Sequence, residues 1–176
     1  MSLEVAGVPL IQRVRDALTD SCQEVLVVGD SGIRSEGVGF ATGERPGSLG
    51  PLAGMEAGLT AATNWLTFVV AGDMPFLCED LVGYLIQRLR AREVCAVVPH
   101  HGGGIHPLCA AYDRGVLPRL RAALDEGVRA VHEFLEGMDE VEYVGEELRR
   151  FGDPDLLLMN VNSPEDLERA RREARR

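Results

Sequence analysis

Leu66-Thr-Phe-Val-Val-Ala-Gly-Asp-Met-Pro-Phe-Leu77 reads as a buried strand that runs directly into a turn. The run from Leu66 to Ala71 is apolar or β-favouring, and Gly72 closes it, the pattern of a strand covered on both faces. Asp73 stands at its carboxyl end, and Pro75 bends the chain away before a helix expected over Glu79–Arg92. Upstream, a helix is expected over Pro51–Thr63 behind a glycine-rich approach at Gly47 and Gly50. A short extended piece at Val38–Ala41 and a strand at Glu24–Gly29 precede it. Pro9–Leu18 forms the first helix, with Leu10, Ile11, Val14 and Leu18 on one face. Downstream come a strand at Val94–Val98, a loop over His100–Gly104 and an apolar strand over His106–Tyr112. Helices at Val116–Leu124 and Val128–Leu135 part near Gly127. Strands at Val141–Val144 and Leu156–Val161 and a helix from Pro164 complete the chain. Strands alternating with helices, without repeat or linker, give one α/β domain over residues 1–176 with a mostly parallel central sheet. Ligands of such sheets bind at the carboxyl ends of strands.

Composition agrees. Hydrophobic residues make up 45% of the chain and aromatics only 5%, so Val, Leu and Ala must build the interior. With 18 basic against 28 acidic residues, the net charge is −10, which disfavours nucleic acid as a partner. One anionic ligand stays compatible, since backbone amides or a metal ion can supply positive potential. All 18 basic residues are arginine, which excludes any chemistry that needs a lysine ammonium. Cys22, Cys78, Cys95 and Cys109 form no CxxC pair, and buried thiols are expected. No leader and no membrane-length apolar run is present, so a cytoplasmic protein without membrane contact is expected.

Four places can carry chemistry. Asp73 is positioned to hold Mg²⁺, which takes one or two carboxylates plus phosphate oxygens, or else to cap the following helix. Gly50-Pro-Leu-Ala-Gly54 opens a helix with small residues; it permits close approach of an anionic ligand, or tight helix packing on the sheet. In Asn160-Val-Asn-Ser-Pro-Glu-Asp166, Ser163, Pro164 and Asp166 have capping roles. Asn160 and Asn162 have none, and two amides at a strand end could contact a phosphate, metal-bound water or cofactor. His100, His101 and His106 surround a glycine loop without ligand-spaced partners, which favours a substrate-side loop over a metal site.

These segments, in this order, resemble the molybdenum-cofactor guanylyltransferase (MobA-like NTP transferase) family. The resemblance rests on Glu4-Val-Ala-Gly-Val-Pro-Leu-Ile11, Gly50-Pro-Leu-Ala-Gly54, Gly72-Asp-Met-Pro-Phe-Leu77 and His106-Pro-Leu-Cys-Ala-Ala-Tyr112. Gly127-Val-Arg-Ala-Val-His-Glu-Phe134 and Asn160-Val-Asn-Ser-Pro-Glu-Asp166 continue it. It implies a three-layer, Rossmann-like nucleotidyltransferase fold, and transfer of GMP from GTP to molybdopterin with release of pyrophosphate. It further implies that Asp73 binds catalytic Mg²⁺, that Gly50, Pro51, Leu52, Gly54 and Glu44 lie against the nucleotide, and that Asn160 and Asn162 face the reacting phosphates. His106 and Arg129 would line the pterin side. Molybdoenzyme maturation proteins are implied partners, and a monomer or weak homo-oligomer is expected.

The pattern departs from the family at its beginning. Members open with a strand leading into a Leu-Ala-Gly-Gly loop, then an Arg-Met-Gly stretch and a lysine, whereas the similarity here starts at about Leu3. The family's Asn after its second strand is replaced by Gly29-Asp30, and its Asp before the glycine-proline motif has Glu44 as nearest acid. A chain N-terminally truncated relative to the family is therefore expected, with a central strand missing, backbone groups exposed on its two neighbours and catalysis impaired. The alternatives are a cytidylyltransferase acting on the same pterin and a non-catalytic nucleotide- or cofactor-binding module working through a partner. An NAD-dependent oxidoreductase is disfavoured, because Gly29-Asp-Ser-Gly32 lacks the dinucleotide spacing.

Overall fold

The computed structural model describes residues 3–29, 38–43 and 50–175. The chain opens with a small hairpin, β1 (Glu4–Val5) and β2 (Val8–Pro9), leading into α1 (Leu10–Thr19). β3 (Leu26–Val28) and β4 (Gly39–Ala41) form a two-stranded parallel sheet, followed by α2 (Gly50–Ala61). The main sheet is built from β5 (Leu66–Val70), β6 (Ala96–His101), β7 (Gly104–Ile105), β8 (Cys109–Asp113) and β9 (Val141–Val144). Its helices are α3 (Glu79–Ala91), α4 (Leu117–Asp125) and α5 (Val131–Glu136); α6 (Pro154–Leu157) and α7 (Pro164–Glu173) end the chain.

In the main sheet β8 lies between β5 and β6, antiparallel to both, and β9 pairs parallel with β6. So β5, β6 and β9 share a direction and β8 runs against them. The reversal comes from a tight turn. His100 and His101 do not belong to a loop, as the glycines suggest, but continue β6 and pair with Ile105 and Gly104. Only Gly102 and Gly103 turn, with φ of 62° and 79°, the both-positive geometry of a two-residue hairpin.

Side-chain alternation makes the three layers. From β6 and β8, Val97, Cys109 and Ala111 point to one face, where Leu81, Val82, Leu85 and Leu89 of α3 and Val14 and Leu18 of α1 cover them. Ala96, Val98, Ala110 and Tyr112 point to the other, against Leu52, Met55 and Leu59 of α2 and Leu120 and Leu124 of α4. Tyr112 is completely buried yet satisfied, its hydroxyl donating to the Pro107 carbonyl at 2.7 Å. A third, smaller core joins Val5, Leu10, Met159, Val161 and Ala170, tying the N-terminal hairpin to α7.

Leu156–Val161 is not a strand. Asp153 caps a helical turn by accepting from the Asp155 N–H, and Pro154 occupies its first position, so Leu156 and Leu157 are helical. Residues 158–162 then run on without a ladder partner. The four cysteines are free thiols; Cys109 is buried, and burial pushes its thiol up to about 12. Among the described residues no helix is long and apolar enough to cross a membrane.

The β3–β4 sheet does not join the main one. Among the described residues no strand pairs with the edge of β5 opposite β8, or with the edge of β3 opposite β4. A cavity of about 980 Å³ lies between these edges.

Candidate active site

Asp73 follows the end of β5 by three residues, held there because Met74 and Pro75 are both buried behind it. The residue is half-buried, and its Oδ1 is buried without a hydrogen-bond partner among the described residues. Burial therefore holds the carboxyl above its ordinary value, against a smaller lowering by a backbone hydrogen bond. It does not cap α3, whose N-cap Cys78 makes no side-chain cap bond. A buried carboxylate oxygen without a protein partner at a strand end suits a divalent cation.

The two asparagines come to the same place through the backbone. The N–H of Val161 donates to the carbonyl of Asp73 at 2.9 Å, and the Val161 side chain is 5% exposed in the small core. With Val161 turned inward, Asn160 and Asn162 on either side of it are exposed. Asp166 fixes this stretch from α7: its Oδ2 accepts from the N–H groups of Asn162 (3.1 Å) and Ser163 (2.9 Å), while Ser163 Oγ accepts from the Asp166 N–H in a capping box. The Ser163 hydroxyl, donating to Asp166 Oδ2 at 2.8 Å, and then the Asn162 backbone bond hold the Asp166 carboxyl below its usual range.

At the start of α2, Gly50 has φ +78°, and a Cβ there would stand 3.1 Å from the Arg129 carbonyl oxygen. The same carbonyl accepts from the Leu52 N–H at 3.1 Å. Gly50 and Pro51 are exposed, and Gly54 has open space where a Cβ would be. Leu52 is corrected from a ligand-facing position to a core position: its side chain is completely buried and its amide is already bonded. Glu44 and Gly47 lie outside the described residues.

Arg129 joins the loop before α5 to α2 through that carbonyl, while its Nη1 donates to the carbonyls of Leu124 and Val128, each at 2.9 Å. The guanidinium thus already spends one nitrogen on backbone. His106 ends the β6–β7 hairpin, donating its backbone N–H to the Pro99 carbonyl at 2.8 Å. Burial, with smaller contributions from the His101 and His100 side chains, lowers its imidazole, against a raising hydrogen bond that the ring donates to the His101 backbone. One contact escapes sequence reasoning: His101 Nε2 lies 3.0 Å from Asp155 Oδ1, fastening the hairpin to α6, the turn that leads into Asn160. The partners are 54 residues apart, and no local pattern announces them.

The family model described as the MobA-like NTP transferase domain matches residues 1–170. A Pelotomaculum thermopropionicum protein named "Probable molybdenum cofactor guanylyltransferase" is 35% identical, with 96% of this chain and 82% of that protein covered. The "Molybdenum cofactor guanylyltransferase" of Vibrio cholerae is 32% identical over 94% of this chain and 79% of its own. Among solved structures, molybdopterin-guanine dinucleotide biosynthesis protein A of Archaeoglobus fulgidus superimposes with a TM-score of 0.85 at 26% identity, covering 99% of this chain and 89% of that one. A 2-C-methyl-D-erythritol 4-phosphate cytidylyltransferase of Thermus thermophilus shares the fold, with a TM-score of 0.74 at 21% identity over 99% of this chain and 93% of that one.

Proposed function

This chain belongs to the MobA-like NTP transferase family, and from that premise we propose that it is a guanylyltransferase for molybdopterin. A phosphate oxygen of the pterin attacks the α-phosphorus of GTP. The bond from that phosphorus to the bridging oxygen breaks, and pyrophosphate leaves. Such a transfer needs positioning and charge neutralisation more than covalent help from the protein.

The observation that supports this most is the 2.9 Å bond from the Val161 N–H to the Asp73 carbonyl, which sets two exposed asparagines beside a carboxylate with an unpartnered oxygen. Asp73 would hold Mg²⁺, which supplies charge neutralisation at the α-phosphate and the departing pyrophosphate. Asn160 and Asn162 offer amide donors to the phosphates. Gly50 and Gly54, with Pro51, leave room for the nucleotide at the start of α2. Glu44 is a proposed nucleotide contact. His106, kept neutral by its lowered pKa, and the remaining guanidinium donors of Arg129 take the pterin side.

A chain with no lysine must neutralise a triphosphate with arginine, amides and metal alone. That favours weak turnover by these 176 residues, and it supports a second reading as a binding module without turnover. Pyrophosphate release from GTP, with molybdopterin and Mg²⁺, separates them. Release from GTP in excess of CTP, lost with EDTA, supports the guanylyltransferase. Release from CTP alone points to the cytidylyltransferase. GTP binding without release from any nucleotide points to the module.

A further inference from the structure

His101 is the last residue of β6, paired with Gly104 across the turn. The tip of this hairpin stands clear of the rest of the molecule: a Cβ on Gly102, Gly103 or Gly104 would meet no atom within 4 Å. Its return to the sheet is nevertheless fixed. His106 donates its N–H to the Pro99 carbonyl at 2.8 Å, and its own carbonyl accepts from the Cys109 N–H at 3.0 Å. The His106 ring also donates to the His101 backbone. His101 and His106 therefore belong to one rigid piece.

Asp155 belongs to another. Its N–H donates to Asp153 Oδ1 at 3.1 Å, and Pro154, Leu157, Leu158 and Met159 are buried around it. The N–H groups of Leu158 and Met159 donate to the carbonyls of Pro154 and Leu156 at 3.1 and 3.0 Å, and Val161 is tied to Asp73. Asn160 sits inside that run, so its position follows α6.

His101 Nε2 and Asp155 Oδ1, 3.0 Å apart, join the two pieces. Among the described residues no other hydrogen bond or ion pair links residues 100–106 to residues 153–162. A carboxylate only accepts, so the ring donates from Nε2, as the charged imidazolium or as the neutral Nε2–H tautomer. With side chains 26% and 67% exposed, the pair adds little to stability. Position is another matter, because a misplacement of about 1 Å between reacting groups can cost roughly a hundredfold in rate.

We infer that His101 and Asp155 are a positioning pair, which sets the separation between the hairpin that carries His106 and the strand that carries Asn160. The inference rests on the guanylyl-transfer reading for what the two sides hold, pterin on one and reacting phosphates on the other. In this role neither residue touches the reacting atoms. The pair acts on the alignment of the attacking pterin phosphate with the α-phosphorus, and not on affinity for GTP.

The test takes the unaltered protein and its His101→Ala, Asp155→Ala, doubly substituted and His101→Gln variants, all produced in its own cells. Residue-resolved amide hydrogen exchange reads the coupling without turnover. His101→Ala should speed the Met159 amide, and Asp155→Ala the His106 amide, each at least about threefold and each on the far side of the contact, with Val97 of the core unchanged. In transfer of guanylyl from GTP to molybdopterin, each alanine variant should lower kcat about tenfold, with the KM for GTP within about twofold of the unaltered protein. The double variant should lose no more than either single one. His101→Gln, whose amide nitrogen can donate to the same carboxylate, should restore both exchange and kcat. Unchanged exchange across the contact overturns the inference. So does changed exchange with unaltered kcat, or losses that add in the double variant. If the unaltered protein transfers nothing, the guanylyl-transfer reading falls, and exchange across the contact alone decides whether the pair couples the two segments.

Discussion

Asp73 pays for its position in stability. Its carboxyl is raised above the ordinary value by burial, so the folded state disfavours the charged form. The sign follows: the folded protein is relatively favoured while Asp73 is protonated, and that advantage is lost as pH rises through its folded pKa. Asp73→Asn should therefore raise Tm at neutral pH while lowering Mg²⁺-dependent turnover about a hundredfold or more, read by thermal unfolding and pyrophosphate release on the same samples. Unchanged turnover would remove Asp73 from the metal site. His106 behaves oppositely. Its imidazole is lowered from 6.5, so the stability of holding it neutral is present above that pH and lost as pH falls through the folded value. His106→Gln should flatten the decline of Tm on the acid side. The segment from Asp73 to Pro75 carried its meaning in local order, a strand followed by a carboxylate and a proline. Arg129 did not, because the bonds from its guanidinium to Leu124 and Val128 depend on how a loop closes.

At the scale of elements, two termini position the site. The start of α2 depends on Gly50, whose φ of +78° and close approach to the Arg129 carbonyl leave no room for a side chain. Gly50→Ala should destabilise by about 1–3 kcal/mol, seen as a lower denaturation midpoint at constant m-value. The start of α7 depends on the capping box of Ser163 and Asp166, and Ser163→Ala should cost about 1 kcal/mol, with faster exchange of the Asn162 amide. The long periodic helices were legible because three-and-four spacing of Leu and Val has one solution on a sheet. Leu156–Val161 was not, because a short apolar run suits a strand and a buried helical turn equally; the Asp153-Pro154 cap was the signal available. At His100-His101 the glycines marked the turn correctly, but β6 reaches two residues into what looked like loop.

For the whole molecule, the α/β class was readable from alternation, because strands buried on both faces cannot be written with polar residues. The reversal of β8 was not readable, since it rests on which neighbour each strand chooses. The core between α3 and the sheet should behave as ordinary close packing, and Leu85→Ala, at 0% exposure, should cost about 2–5 kcal/mol by denaturant titration. The claim that joins these scales is that Asp73, Asn160 and Asn162 form one centre for guanylyl transfer. It is tested most directly by incubating GTP labelled at the α-phosphate with molybdopterin, Mg²⁺ and the protein isolated from its own cells, beside its Asp73→Asn and Asn162→Ala variants. The expected result is label transferred to the pterin by the unaltered protein and reduced at least tenfold by each substitution, with folding intact. Label transferred equally by all three forms, or by none while GTP still binds, would contradict it.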